Sequence, residues 1–119
     1  NPTMTPLATS FSADEINQLA TYFAAQKAEP NATFTPDPER SKKGEALVTT
    51  ANCAACHGAG LIGQAEFPRL AGQGHDYLVK QLNNFKTGAR KDTNGIMAAV
   101  AATLSDDDIN NMAHYLASH

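Results

Sequence analysis

Apolar residues recur at helical spacing in several stretches of this chain, and no stretch alternates cleanly enough to be a strand. Ile16, Leu19, Ala20 and Phe23 stand at i, i+3, i+4 and i+7, which places them in one stripe along a helix. Ile109, Met112, Ala113 and Leu116 repeat that spacing near the C-terminus. A serine precedes each stripe, Ser12 or Ser105, and an acidic residue follows it three positions on, Glu15 or Asp108. This is the capping-box pattern of a helix start, so helices are predicted over roughly 12–26 and 105–118. Asp37-Pro38 reads as a cap and first-turn proline opening a helix over roughly 38–52, with Gly44, Leu47, Val48 and Ala51 on one face. Leu78, Leu82 and Phe85 mark a fourth helix over roughly 75–87, stopped by Gly88. The stretch from Gly58 to Gly74 reads as loop, and the segment after Asn94-Gly95 as irregular. The predicted class is all-α.

The two capped helices belong to a repeat. Shifted by 93 positions, residues 1–26 align without a gap on residues 94–119, with ten identities. Met4 pairs with Met97, Ser12 with Ser105, Ile16 with Ile109 and Tyr22 with Tyr115. Residues 1–27 are therefore predicted to be the tail of one unit, residues 28–37 a linker carrying Pro30 and Pro36, and residues 38–119 a complete second unit.

Composition narrows the function. A net charge of −3 over 119 residues lacks the basic face that nucleic-acid binding requires. No apolar run reaches the roughly 18 residues of a membrane span. The only two cysteines lie within four residues of each other, so they form no disulfide framework and their chemistry is local.

That chemistry is the run Cys53-Ala54-Ala55-Cys56-His57. On a helical turn, positions i, i+3 and i+4 share a face, so two thiols can add to the vinyl groups of one porphyrin while the imidazole reaches its iron. C-x-x-C-H is the attachment signature of c-type haem, and one covalent haem c is expected. A structural zinc site would need a second ligand pair, which His75, His114 and His119 do not supply. A thioredoxin-like redox site would need a βαβ setting that this pattern lacks.

A sixth iron ligand comes from the methionines. Met112 lies on the apolar stripe of the last helix and is assigned to the core. Met97 stands 40 residues after His57, just before the final helix, and is the expected distal ligand. Methionine–histidine ligation raises the reduction potential, and a six-coordinate iron leaves no substrate position. Met4 has no C-x-x-C-H of its own in this chain and reads as a remnant.

With Cys53 to His57, Phe67-Pro68-Arg69-Leu70-Ala71-Gly72-Gln73, Tyr77-Leu78, Gln81-Leu82, Phe85-Lys86, Gly88, Arg90, Met97 and Leu104-Ser105-Asp106 in place, the chain resembles a class I c-type cytochrome. More narrowly it resembles the cytochrome c4 and c553-like group. The resemblance implies the class I cytochrome c fold, with His57 and Met97 as iron ligands. It implies that the Pro68 carbonyl accepts the His57 Nδ1 proton, and that Gly44 and Tyr115 sit where the first and last helices cross. Tyr77, Gln81 and Arg90 are weaker carry-overs toward the haem propionates. Cytochromes c4 are similar to two such units in tandem, whereas this chain holds the end of one and all of another.

The expected function is therefore non-enzymatic electron transfer between respiratory redox partners, a quinol-oxidising complex upstream and a terminal oxidase or reductase downstream. The resemblance also implies a periplasmic home, with any signal peptide removed. Two alternatives stand beside it: the electron-transfer domain of a larger di-haem protein or oxidoreductase complex, and an open-site haem sensor or peroxidase. The apolar face of helix 12–26 needs cover, from the haem domain or from a second chain in a homodimer.

Overall fold

The computed structural model describes residues 1–29 and 33–119, so residues 30–32 of the expected linker lie outside the described part. The helices run α1 (Met4–Ala8), α2 (Ala13–Ala24), α3 (Pro38–Thr50), α4 (Ala54–His57), α5 (His75–Lys86), α6 (Ile96–Ala102) and α7 (Asp106–Ala117), with a short 3-10 turn at Ala59–Leu61. Among the described residues, extended pairing is limited to one isolated bridge between Gln64 and Phe67.

The four helices read from periodicity are all present, shortened by one or two residues at their ends. Both capping boxes close as expected. The Glu15 N–H donates to Ser12 Oγ at 3.2 Å and the Ser12 N–H to Glu15 Oε2 at 2.8 Å. The Asp108 N–H donates to Ser105 Oγ at 3.1 Å and the Ser105 N–H to Asp108 Oδ2 at 2.9 Å. Asp37 caps α3 by accepting the N–H groups of Glu39 and Arg40 at 2.9 and 3.0 Å.

α7 is the centre of the C-terminal unit, packing on α3 and α5, while α6 packs on α5. Ile109 and Ala113 are fully buried, and Met112 and Leu116 nearly so, against Val48, Leu61, Leu78 and Leu82. Each large apolar side chain buried this way contributes about 1.5–3 kcal/mol. The α3–α7 crossing depends on Gly44: a Cβ there would run into the Asn111 carbonyl and lie 2.9 Å from the Cβ of Tyr115. The expectation of a close crossing at Gly44 and Tyr115 holds. Beside it, Arg40 Nη1 donates to the buried Asn111 Oδ1 at 3.0 Å and to Asp107 at 2.9 Å, so the crossing leaves the Asn111 side chain paired.

The chain enters this unit through Phe34, whose ring stacks on His75 with centroids 4.9 Å apart. The Asp37 N–H donates to His114 Nδ1 at 3.1 Å. Burial, then the neighbouring His75 and Arg40, lowers the His114 pKa against the pull of Asp37.

Two expectations are corrected. Residues 96–102 are helical, not irregular. Their run Ile-Met-Ala-Ala-Val-Ala-Ala has no polar positions to set a period, yet alanine is the strongest helix former and Gly95, at φ 67°, turns the chain into the helix start. Its repeat mate, α1, is also helical, and at five residues is too short to display a helical period. Second, of the two covers expected for the helix over 12–26, the C-terminal unit is not one, which leaves a second chain: no residue of α2 is buried, and Ile16 and Phe23 are 50 % and 66 % exposed.

Candidate haem site

The attachment segment is delivered by a helix ending. α3 stops in a left-handed residue, Asn52 at φ 52°, whose N–H donates to Thr49 O at 3.0 Å while the Cys53 N–H donates to Val48 O at 3.2 Å. These two bonds form a Schellman ending, and asparagine tolerates the positive φ that it requires. The chain then turns directly into α4, so Cys53, Cys56 and His57 lie on one helical turn as their spacing predicts. Both thiols are free and half-buried, and burial pushes the Cys53 thiol up.

His57 is 5 % exposed, and its ring is fixed from one side. Its Nδ1 lies 2.7 Å from the Pro68 carbonyl oxygen. A carbonyl can only accept, so Nδ1 carries the proton and Nε2 keeps its lone pair. Nε2 has no hydrogen-bond partner among the described residues and is not sealed from its surroundings. The Phe67 ring stands edge-on to the imidazole at 6.2 Å.

A tightly braced loop holds Pro68 in place. The Gly63 N–H donates to His57 O at 2.8 Å, and Gly63, at φ 90°, passes so close to the returning loop that a Cβ would lie 2.8 Å from the Arg69 nitrogen. Gln64 and Phe67 exchange backbone hydrogen bonds at 3.1 and 2.9 Å. The Gln64 side chain then donates to the carbonyls of Ala55 and Cys56 at 3.2 and 3.0 Å, stapling the loop to α4. Leu61 O accepts the N–H groups of both Leu70 and Ala71, and Leu61 holds φ 57° while buried. Among the described residues, the positive-φ residues other than glycine, Asn52, Leu61 and Ala65, all surround the attachment run. Each such conformation costs on the order of 1–3 kcal/mol and persists only where neighbours enforce it, as at functional sites.

Met97 comes from a different element. It lies in the first turn of α6, half-buried against the core. Its N–H donates to Asp92 Oδ2 at 3.1 Å. The structure thus joins Cys53, Cys56, His57 and Pro68 in one helix–loop unit and carries Met97 separately on α6. Tyr77 is half exposed, and Arg90 is occupied by Gln81 at 2.8 Å and by the Phe85 ring. Sequence reading missed Gln64 and Asp92. Neither belongs to a spacing pattern, and each acts through backbone groups that only the folded loop presents.

Residues 41–119 match the family model described as Cytochrome c. The chain belongs to the cytochrome c family. It is 41 % identical to cytochrome c4 of Thiocapsa roseopersicina over 127 aligned residues, covering 98 % of this chain and 65 % of that protein. It is 35 % identical to the thiosulfate dehydrogenase electron acceptor of Stutzerimonas stutzeri strain A1501, covering 99 % of this chain and 59 % of the relative. Among solved structures it resembles reduced recombinant cytochrome c4 from Pseudomonas stutzeri with a TM-score of 0.84 at 32 % identity, over 98 % of this chain and 65 % of the other. The chain therefore spans less than two thirds of the length of these relatives. Its all-helical architecture is the class I cytochrome c fold, of the c4-like kind. The family's prosthetic group fits the donor set on this surface: two unpaired thiols at the right spacing and an imidazole held with Nε2 free. The cofactor is one haem c, bound covalently through Cys53 and Cys56.

Proposed function

We propose that this chain carries single electrons, with His57 and Met97 as the two iron ligands and Pro68 orienting His57. The observation that carries the reading is the His57–Pro68 contact. It fixes the tautomer, leaves Nε2 as the only ring nitrogen for the metal, and tunes the basicity of the ligand as partners behind a metal ligand do. When bound, the haem supplies a one-electron iron couple. The protein's part is to hold the imidazole and the thioether in place and to exclude competing ligands. Methionine, a soft ligand, favours the ferrous state and so a raised potential.

Redox proteins are the proposed partners: a quinol-oxidising complex or a dehydrogenase as donor, and a terminal oxidase or reductase as acceptor. Support for a dehydrogenase comes from the relative named as the electron acceptor of thiosulfate dehydrogenase. No helix among the described residues is long and apolar enough to cross a membrane. A periplasmic setting, a carrier rather than a catalytic role, and docking of partners through a small transient interface complete the proposal.

Residues 1–27 are proposed to be the end of a preceding cytochrome-like unit. The repeat is supported by structure as well as sequence, since α1–α2 and α6–α7 share their order and register, and α2 and α7 their serine caps. A homodimer through α2 is the alternative cover for its apolar face. Intact mass of the protein from its native source separates the two.

The function is tested by one set of optical spectra. A ferric sulfur-to-iron charge-transfer band that disappears in Met97→Ala is the expected result. Rapid carbon monoxide binding to the unsubstituted ferrous protein would overturn it in favour of an open-site sensor.

A further inference from the structure

Residues 87–95 connect α5 to α6, and Asp92 lies within this connection. Asp92 is partly buried, and its two carboxylate oxygens differ. Oδ2 accepts the Met97 N–H at 3.1 Å, whereas Oδ1 is sealed from solvent without a partner. The backbone is bound there too, since the Gly95 N–H donates to the Asp92 carbonyl at 3.3 Å.

A buried polar atom without a partner is uncommon in a native fold and needs a reason. Stabilising a seven-residue helix is a weak one, because the hydroxyls of Ser12 and Ser105 do that for α2 and α7 without burying any unpaired atom. What distinguishes α6 is the residue that Asp92 holds. A methionine side chain has three rotatable bonds and its thioether is a weak ligand, so its retention depends on how firmly its backbone is anchored.

We infer that Asp92 is the positioning residue for Met97, its carboxylate clamping the first turn of α6 so that the thioether is presented from a fixed backbone. This rests on Met97 being the distal ligand. A ligand held this way resists displacement, and a ligand released from the clamp competes poorly with small molecules.

The test uses the haem-loaded protein with Asp92→Ala, Asp92→Asn, Met97→Ala and, as a control on an unrelated helix cap, Asp108→Ala. The ferric charge-transfer band is titrated with imidazole, and carbon monoxide binding is timed on the ferrous form. Asp92→Ala is expected to raise imidazole affinity and the carbon monoxide rate by about tenfold, the scale of a lost cap. Asp92→Asn keeps an acceptor oxygen and is expected to fall between that variant and the parent, and Asp108→Ala to leave both readouts at parent values. Asp92→Ala at parent values overturns the inference, as does Asp108→Ala shifting both readouts equally, which would mean general loosening. Where Asp92→Ala does not accumulate as folded protein, Asp92→Asn decides: an increase in both readouts supports the clamp, and parent values overturn it. Met97→Ala separates the two readings. A band retained there removes the ligand assignment and this inference with it, whereas a band lost there, with both readouts of Asp92→Ala at parent values, removes the inference alone.

Discussion

The helix pair α1–α2 and the helix pair α6–α7 share one code and meet different fates. Ser12 and Ser105 cap their helices with the same reciprocal bonds, and Ile16 and Ile109 begin the same apolar stripe. Yet Ile109 is fully buried and Ile16 is half exposed. Local sequence thus specifies the helix and the face that wants burial, but burial itself comes from other segments. α7 has α3 and α5 to pack on, with Gly44 admitting it at close range. In this chain α2 has no such partners among the described residues. Its stripe of Ile16, Leu19 and Phe23 is the face that a preceding unit or a second chain would cover.

The matched isoleucines give the largest effect by which this contrast can be broken. Ile109→Ala should destabilise the C-terminal unit by about 2–5 kcal/mol, the cost of a cavity in a packed core, in a denaturant titration. Ile16→Ala should change that titration by less than about 0.5 kcal/mol, as exposed positions do. An equal cost at both sites would show that α2 is covered in solution.

The caps sharpen the same comparison at a smaller scale. Ser105→Ala should cost about 1 kcal/mol and lower the melting temperature of the haem unit, because α7 is part of its cooperative core. Ser12→Ala should reduce helical circular dichroism and leave that melting temperature where it was. A matching fall in melting temperature would mean that the two pairs unfold together.

The smallest effect is one of pH. His114, on α7, accepts the Asp37 N–H and has a pKa lowered by burial and by the neighbouring His75 and Arg40. Its counterpart on α2 is the exposed Thr21. A folded-state pKa below the unfolded value of 6.5 means that the unfolded chain binds the proton first. Stability from this group is therefore present above pH 6.5 and is lost as pH falls through 6.5 toward the lowered folded value. His114→Gln should flatten that part of the stability–pH profile, measured by thermal melts between pH 5 and about 8. An unchanged slope would assign the dependence to another group.

Wherever polar and apolar residues alternate with a helical period, the element is legible from its residues alone, as α2, α3, α5 and α7 are. α6 escaped because its seven residues carry no polar contrast, although it bears Met97. The attachment site is the extreme of legibility: two thiols and an imidazole within five residues need only one helical turn to meet. Pro68 was reachable only through family resemblance, and Gln64 and Asp92 not at all, since their roles lie in backbone groups brought near by the fold.

The sequence by itself therefore determined the helices that start with a cap and carry a stripe, the repeat, and the haem attachment through Cys53 and Cys56. These are features whose interacting atoms lie within a turn or two of chain, so spacing decides them. Tertiary structure alone decided which of two like stripes is buried, which carbonyl fixes the His57 tautomer, and what holds the backbone of Met97. Those depend on residues many positions apart, such as Gly44 with Asn111 or His57 with Pro68, and only closure of the intervening loops brings them within contact distance.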